Sequence, residues 1–256
     1  MSGFSRRGEK SKKLLAIILF AVSLASVSCA STSEELQKKD ATSKVDKVFK
    51  YLEKRVEESN ALYEQGDYER AAEAREELLE EYPAHPYIDN GEFFARIGDC
   101  WRKAEKNENA LKWYHKAIER FTRDMEVFRN KIKESNVPDE WRMYADIIEN
   151  NLLPRLASVH THTGEIYLKE QQYNKSLLSF FNALSANSGH LRAFYLLGCT
   201  YEKLEGQEKN ALKTFGELLQ LLKMASAEDV KRYGLTERDI EYVNRRVKQL
   251  SEKVFQ

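Results

Sequence analysis

Gly164 and Gly198 lie 34 residues apart, and so do Tyr167 and Tyr201. Phe180 and Phe215 are 35 apart, which implies one inserted residue within Leu204–Lys209. Self-similarity at a fixed period marks a chain built from small units, none of which can bury its apolar side alone. Apolar residues also recur at helical spacing, as in Val45, Val48, Phe49, Leu52 and Val56. The chain of 256 residues holds only 11 glycines and 4 prolines, where an average one holds roughly 18 and 13. Tight β-turns consume glycine and disordered linkers consume both, so both classes are disfavoured. Three cysteines exclude a disulfide-stapled fold. The expectation is an all-α chain of repeated helix pairs.

Four stretches follow one template, near 52–85, 91–124, 157–190 and 191–225. The third carries Gly164, Tyr167, Tyr173, Phe180 and Ala183, and the fourth Gly198, Tyr201, Phe215 and Leu218. The second carries Phe94, Ile97, Gly98, Trp101, Ala110, Tyr114 and Ala117. The first carries the turn Gln65-Gly66-Asp67-Tyr68, then Ala71, Leu78 and Pro83. A small residue lets two helices of a unit approach, and an aromatic fills the gap beside it. This pattern resembles the tetratricopeptide repeat family. The resemblance implies an α-solenoid of antiparallel helix pairs, a TPR-like superhelix, over residues 44–256. Ser59 and Arg75 are off-pattern in the first unit, and Ser176 stands for alanine in the third.

Between the second and third units the period breaks, because Ala110 and Ser176 are 66 residues apart. Apolar positions run on through Phe121, Met125, Phe128 and Ile132 to the turn-forming Ser135-Asn136-Val137-Pro138-Asp139. They resume at Trp141, Tyr144, Ile148, Leu152 and Leu156. The spacing predicts a long helical hairpin inserted over 122–156, with Pro154 kinking or breaking its return arm. Near the end, Gly234 stops one helix and Thr236 with Asp239 starts another. Ile240, Val243, Val247, Leu250 and Val254 give this last helix a narrow stripe. The stripe suits a polar-backed cap over 236–254, with a coiled-coil seam as the alternative.

The first thirty residues read as an address. Arg6, Arg7, Lys10, Lys12 and Lys13 precede the apolar run Leu14–Leu24, and small residues follow. This is the layout of a secretory signal peptide, residues 1–28. Leu24-Ala25-Ser26-Val27-Ser28-Cys29 resembles the lipobox of bacterial lipoproteins, although Ser26 stands where the strict pattern has leucine. The resemblance implies acylation of Cys29 and a lipid anchor in a bacterial membrane, the outer membrane facing the periplasm being favoured. Ordinary cleavage and a soluble periplasmic product is the alternative. Residues 29–43 are then the attachment point and a polar tether. Loss of residues 1–28 removes five basic residues and one acidic from the 41 of each sign, leaving a net charge of −4. That balance argues against nucleic acid as a partner.

No phosphate loop, zinc-helix motif or nucleophile elbow occurs, so no catalytic residue, metal ligand or cofactor is expected. His160 and His162 sit two apart on a helix and point away from each other. Cys100 and Cys199 read as small apolar helix residues, and Glu76, Glu77, Glu80 and Glu81 as a solvated face. The family resemblance implies a groove lined by the first helix of each unit. Carried onto this chain, it offers Asn60 and Tyr63; Arg96, Asp99 and Arg102; Thr161, His162 and Glu165; then Arg192, Tyr195, Cys199 and Glu202. The Lys/Asn clamp by which some relatives hold a C-terminal carboxylate is not reproduced.

The resulting expectation is a non-enzymatic scaffold that holds another envelope protein or peptide segment. Tyr82-Pro83-Ala84-His85-Pro86-Tyr87 and the helix after it are similar to BamD-type outer-membrane assembly lipoproteins over the first half. A lipoprotein working beside a solute-binding transporter component is a second such role. A small-ligand or lipid carrier is the alternative class.

Overall fold

The computed structural model describes residues 32–255, with side chains described from Val45 to Val254. Residues 1–28 and Cys29 lie outside the described residues, so the signal peptide and the acylation site have no structural account. Every regular element among the described residues is a helix, with no strand among them. The chain divides into two compact units at Ala110 and Leu111, and each is taken by itself.

In the first unit, α1 (Thr32–Glu64) packs on α2 (Tyr68–Glu81), and α2 on α3 (Gly91–Lys103). Residues 32–43, expected as a tether, are the first part of α1. Glu34, Glu35, Leu36, Gln37, Lys38 and Lys39 are all strong helix formers and simply extend the helix that follows. The α1–α2 turn is closed by Gly66, whose φ of +85° suits glycine. Asp67 N donates to Leu62 O and Gly66 N to Tyr63 O, which satisfies the last carbonyls of α1. Asn90 caps α3 by accepting from Phe93 N at 2.9 Å. Leu52, Val56, Ala71, Leu78, Ile88, Phe93 and Ile97 form the core. Phe49 meets Tyr87 edge-on at 5.0 Å, fastening the 82–90 linker to α1.

The helix α4 (Asn107–Glu134) begins at the end of the first unit and belongs mostly to the second. Val137 leads into α5 (Pro138–Ile147), then a π turn (Ile148–Leu152), then α6 (Leu153–Lys169). The rings of Phe128 and Tyr144 meet at 5.8 Å, and Tyr114 stacks on His162 at 5.9 Å, so the two arms run side by side. Pro154 neither ends the return arm nor leaves it regular. It cannot donate to Asn150 as an α-helix requires. One residue ahead, Leu153 N donates five residues back to Ile148 O, and the widened turn carries the helix into proline's first-turn position.

The remaining helices of this unit are α7 (Tyr173–Ala186), α8 (Leu191–Tyr201), α9 (Glu208–Met224), α10 (Ala227–Arg232) and α11 (Glu237–Phe255). α6 pairs with α7, α7 with α8, α8 with α9, and α9 with α11. The period-defining residues make the locks. A Cβ on Gly164 would sit 2.6 Å from the Phe180 ring, and one on Gly198 would collide with the Phe215 ring. Each glycine therefore lets a buried phenyl lie flat on the backbone of the partner helix. α11 is capped by Thr236, whose Oγ1 accepts from Asp239 N at 3.2 Å while Asp239 Oδ2 accepts from Thr236 N at 2.8 Å. Its Val243 and Leu250 are buried with Leu191, Phe215, Leu218 and Leu235, so this stripe packs against α8 and α9.

Candidate functional site

The first unit presents a cleft of about 370 Å³ lined by Asn60, Tyr63, Glu64, Arg75, Arg96 and Asp99. Its geometry follows from the helices: Asn60, Tyr63 and Glu64 share a face of α1, and Arg96 and Asp99 share a face of α3. Arg75 comes from α2, which packs against both. Arg102 stands one turn beyond Asp99, with its Nη2 3.5 Å from Asp99 Oδ1. Arg96 Nη2 donates to Glu92 Oε1 at 2.8 Å.

Glu64 and Arg75 are the lining residues that the sequence pattern did not assign to the cleft, and Arg75 is the buried one. It is only 3% exposed. Nε donates to Ser59 Oγ at 3.1 Å and Nη2 to Asn60 Oδ1 at 2.8 Å. Nη1 donates to Arg96 O at 3.0 Å and to Cys100 Sγ at 2.8 Å. Burial lowers the affinity of this guanidinium for its proton, and the nearby Arg96 charge adds to the effect. Burial also raises the Tyr63 phenol, helped by Asp99, and pushes the Cys100 thiol up to about 11. The Tyr63 ring lies 5.9 Å from the Arg75 guanidinium carbon. The signal was visible in the sequence, since Ser59 and Arg75 are the two departures from pattern in this unit. They turn out to be partners.

In the second unit the expected groove residues do come together, but not as an open surface. Arg192 Nη2 donates to Glu165 Oε1 at 2.9 Å, and His162 Nδ1 lies 3.9 Å from Glu165 Oε2. Burial opposes the Glu165 charge, yet His162 and Arg192 hold its carboxyl down at about 2. Along α8, the stripe of Arg192, Tyr195, Cys199 and Glu202 meets α11. Arg192 Nη1 is 4.0 Å from Asp239 Oδ2. The Tyr195 and Tyr242 rings meet edge-on at 6.3 Å. Glu202 accepts from Tyr242 Oη and from Arg246 Nε, and its side chain is only 8% exposed. Burial raises the Tyr195 phenol, reinforced by Cys199 and Asp239, and pushes the Cys199 thiol up to about 12. The terminal helix thus takes up the polar stripe expected to face a partner, because the same face that would meet a ligand is the one a further helix must cover. Thr161 is also not a groove residue. It is buried, and its Oγ1 donates to Ala157 O at 2.8 Å.

His160 and His162 have different neighbours: His162 stacks on Tyr114, while burial and His115 lower His160 to about 4. Of the acidic run, Glu77, Glu80 and Glu81 are exposed, but Glu76 accepts from Trp101 Nε1 at 2.6 Å and serves packing. Among the described residues, no group of three or more His, Cys, Asp or Glu side chains is gathered for a metal.

The family model of the tetratricopeptide repeat matches residues 59–85 and 192–221. Two segments of this chain are therefore tetratricopeptide-like. They are the two stretches that contain the cleft's α1–α2 turn and the α8–α9 pair. No curated protein sequence matches the chain. Among solved structures, MamA from residue 41 to its end, of Desulfovibrio magneticus RS-1, is similar at 15% identity and a TM-score of 0.47, over 77% of this chain and 92% of that one. The TPR2AB domain–pHSP90 complex of yeast Sti1 is similar at 16% identity and a TM-score of 0.31, over 77% and 84%. A thermophilic TPR protein of Thermus thermophilus is similar at 18% identity and a TM-score of 0.32, over 71% and 96%.

Proposed function

We propose that this chain is a non-enzymatic, lipid-anchored scaffold of the bacterial cell envelope that holds a segment of another envelope protein in its first-unit cleft. Stacked helix pairs of this kind bind partner proteins or peptides. The observation that carries the reading is the cleft itself: Asn60, Tyr63, Arg96 and Asp99, four residues picked out as groove positions, line one concavity. A tyrosine and an arginine at its wall are residue types enriched at binding hot spots. The polar lining favours a peptide over a lipid, which supports the scaffold above the carrier. The anchor rests on Cys29 at the end of the apolar run Leu14–Leu24. Outer-membrane assembly is the envelope role that the Tyr82–Tyr87 likeness brings forward, and service beside a solute-binding protein is a second such role.

Capture of partners from envelope extract tests the cleft. Tyr63→Ala with Arg96→Ala should lose the captured protein at unchanged helicity, while Tyr195→Ala, whose ring faces α11, should keep it. Undiminished capture by the double variant would place the interface elsewhere. For the anchor, Cys29→Ala should move the chain from the membrane to the soluble fraction.

A further inference from the structure

Turns between surface helices are ordinarily polar, because nothing covers them. The α4–α5 turn is not. Four of the eight large apolar side chains exposed among the described residues, Val127, Val137, Trp141 and Met143, fall within 127–143. Val137 is 49% exposed and Trp141 47%. They stand one helical turn apart, since Trp141 N donates to Val137 O at 3.3 Å, and Pro138 beside them is exposed as well. Trp141 Nε1 donates to Ser135 O at 2.8 Å, so the indole folds back on the turn and its one donor is satisfied. An indole in that state enters an apolar phase without stranding a polar group. Val137 also takes the cap position of α5 and gives it no side-chain cap, where Asp, Asn, Ser or Thr would stabilise the helix.

We propose that the α4–α5 tip is a membrane-contact site, in which Val137, Pro138 and Trp141 enter the interfacial layer of a lipid bilayer and neighbouring basic side chains meet its phosphates. Lys133–Met143 is exposed throughout apart from the half-buried Ser135, a projecting end that suits a surface able to yield to it. Arg129, Lys133 and Arg142 are exposed, and Lys131 lies over the Phe128 and Tyr144 rings. Of the acidic groups, Asp139 pairs with Arg142 at 3.4 Å and Glu140 accepts from Ser135 Oγ at 2.6 Å, which leaves Glu134 against the other three cations. Tryptophan with lysine and arginine at its flank is the composition found at membrane–water boundaries.

The proposal rests on the lipid anchor of the scaffold reading and says what a second contact would add. In the sequence only Ala30 and Ser31 stand between Cys29 and Thr32, where α1 begins, so an acylated chain has no long tether. A body attached that closely is held at the bilayer, where a second contact is intramolecular and can be weak. A few partly inserted side chains bind less firmly than one acyl chain, which alone is marginal. They would therefore orient an anchored protein rather than recruit a free one.

Trp141 is its own probe, since the other two tryptophans, Trp101 and Trp113, are buried. The full mature chain is reconstituted into phosphatidylcholine–phosphatidylglycerol vesicles with and without bromine on the acyl chains near the glycerol end. Tryptophan emission should shift to the blue and be quenched by the brominated lipid, and Trp141→Phe should abolish the quenching. Quenching that is absent, or that persists in Trp141→Phe, overturns the site. Val137→Asp supplies a favoured cap residue for α5 and places a charge in the interfacial layer. It should melt no lower than the parent, yet weaken the contact read by quenching about tenfold, or about 1.4 kcal/mol. Undiminished quenching of a folded Val137→Asp chain overturns the site; if that variant does not fold, the parent and Trp141→Phe decide. Acylation is read separately, from the mass of the N-terminal peptide. An acylated chain without quenching keeps the anchor and loses this inference. An unacylated chain quenched by vesicles at millimolar lipid keeps the tip and loses the anchor, and a chain with neither loses both. Loss of a captured envelope protein by Val137→Asp, with no quenching in vesicles, would make the tip a protein contact and overturn the membrane site.

Discussion

The same two slots of the repeat are filled in opposite ways in the two units. In the second, Gly164 with Phe180 and Gly198 with Phe215 press a phenyl ring onto bare backbone. In the first, Ser59 and Arg75 join by a hydrogen bond of 3.1 Å and leave a cleft above them. The phenyl arrangement maximises buried apolar area; the arginine one gives up that area and buries a hydrogen-bonded polar pair instead. One repeat position can therefore carry either a phenyl lock or a buried polar pair, with helices and turns left as they are.

The largest expected effect lies on the packed side. Phe180 and Phe215 are fully buried, so Phe180→Ala and Phe215→Ala should each lower unfolding free energy by about 3–5 kcal/mol in urea titrations. A loss below about 1 kcal/mol for either would mean that the phenyl rings do not lock their units.

Caps supply a second contrast, and it is titratable. α3 is capped by Asn90 and α8 by His190, whose Nδ1 accepts from Ala193 N at 3.3 Å. Burial, with a smaller push from His162, lowers His190 to about 4. The folded value lies below the unfolded one, so the unfolded chain takes up its proton first as pH falls. Stability is fully present above the ordinary histidine value near 6.5, declines as pH drops towards 4, and is level below that. The loss across the window is on the order of 3 kcal/mol from this residue, with His160 titrating over the same range. His190→Asn, copying the first unit's cap, should reduce the dependence to about half, the part His160 supplies remaining. An unaltered pH profile of thermal midpoints would remove His190 as its source.

Imposing the first unit's small residue on the second comes next in size. Gly164→Ser places a Cβ 2.6 Å from the Phe180 ring, which is buried and has nowhere to retreat. Overpacking of this kind costs about 1–3 kcal/mol. A serine accepted without loss, read by denaturant midpoint, would show that the ring can move and that the glycine is not what sets the helix approach.

The repeat was legible in the sequence because its contacts are local and identical residues recur to make them: Gly164 and Gly198, Tyr167 and Tyr201, Phe180 and Phe215. The boundary at Ser135–Pro138 was legible for the same reason, as a cluster that cannot continue a helix. The use of Arg75 was not, because its partners Asn60, Arg96 and Cys100 lie on two other helices and only packing gathers them. Nor was the pairing of α8 with α11. Tyr195, Cys199 and Glu202 carry a polar stripe that suits a ligand and a terminal helix equally, and the stripe itself holds no sign of which will occupy it. Asp239, Tyr242 and Arg246, which do occupy it, look like the solvent side of an amphipathic helix when read alone.

The smallest contrast concerns turns. The α1–α2 turn places Gly66 at φ +85°, while the equivalent turns after α3 and α6 hold Glu105 at +60° and Gln171 at +59°. All three share the closing pattern, since Lys106 N donates to Trp101 O and Gln172 N to Tyr167 O as Asp67 N does to Leu62 O. A side chain in the left-handed region costs about 1–2 kcal/mol relative to the ordinary helix, and glycine is free of that penalty but loses more entropy on folding. Gln171→Gly should therefore stabilise by about 0.5 kcal/mol, and Gly66→Ala should destabilise by about 1 kcal/mol. Thermal midpoints measured on the pair of variants decide the matter: equal and opposite shifts of the wrong sign would mean that these turns are held by contacts of the Gln171 side chain rather than by backbone preference.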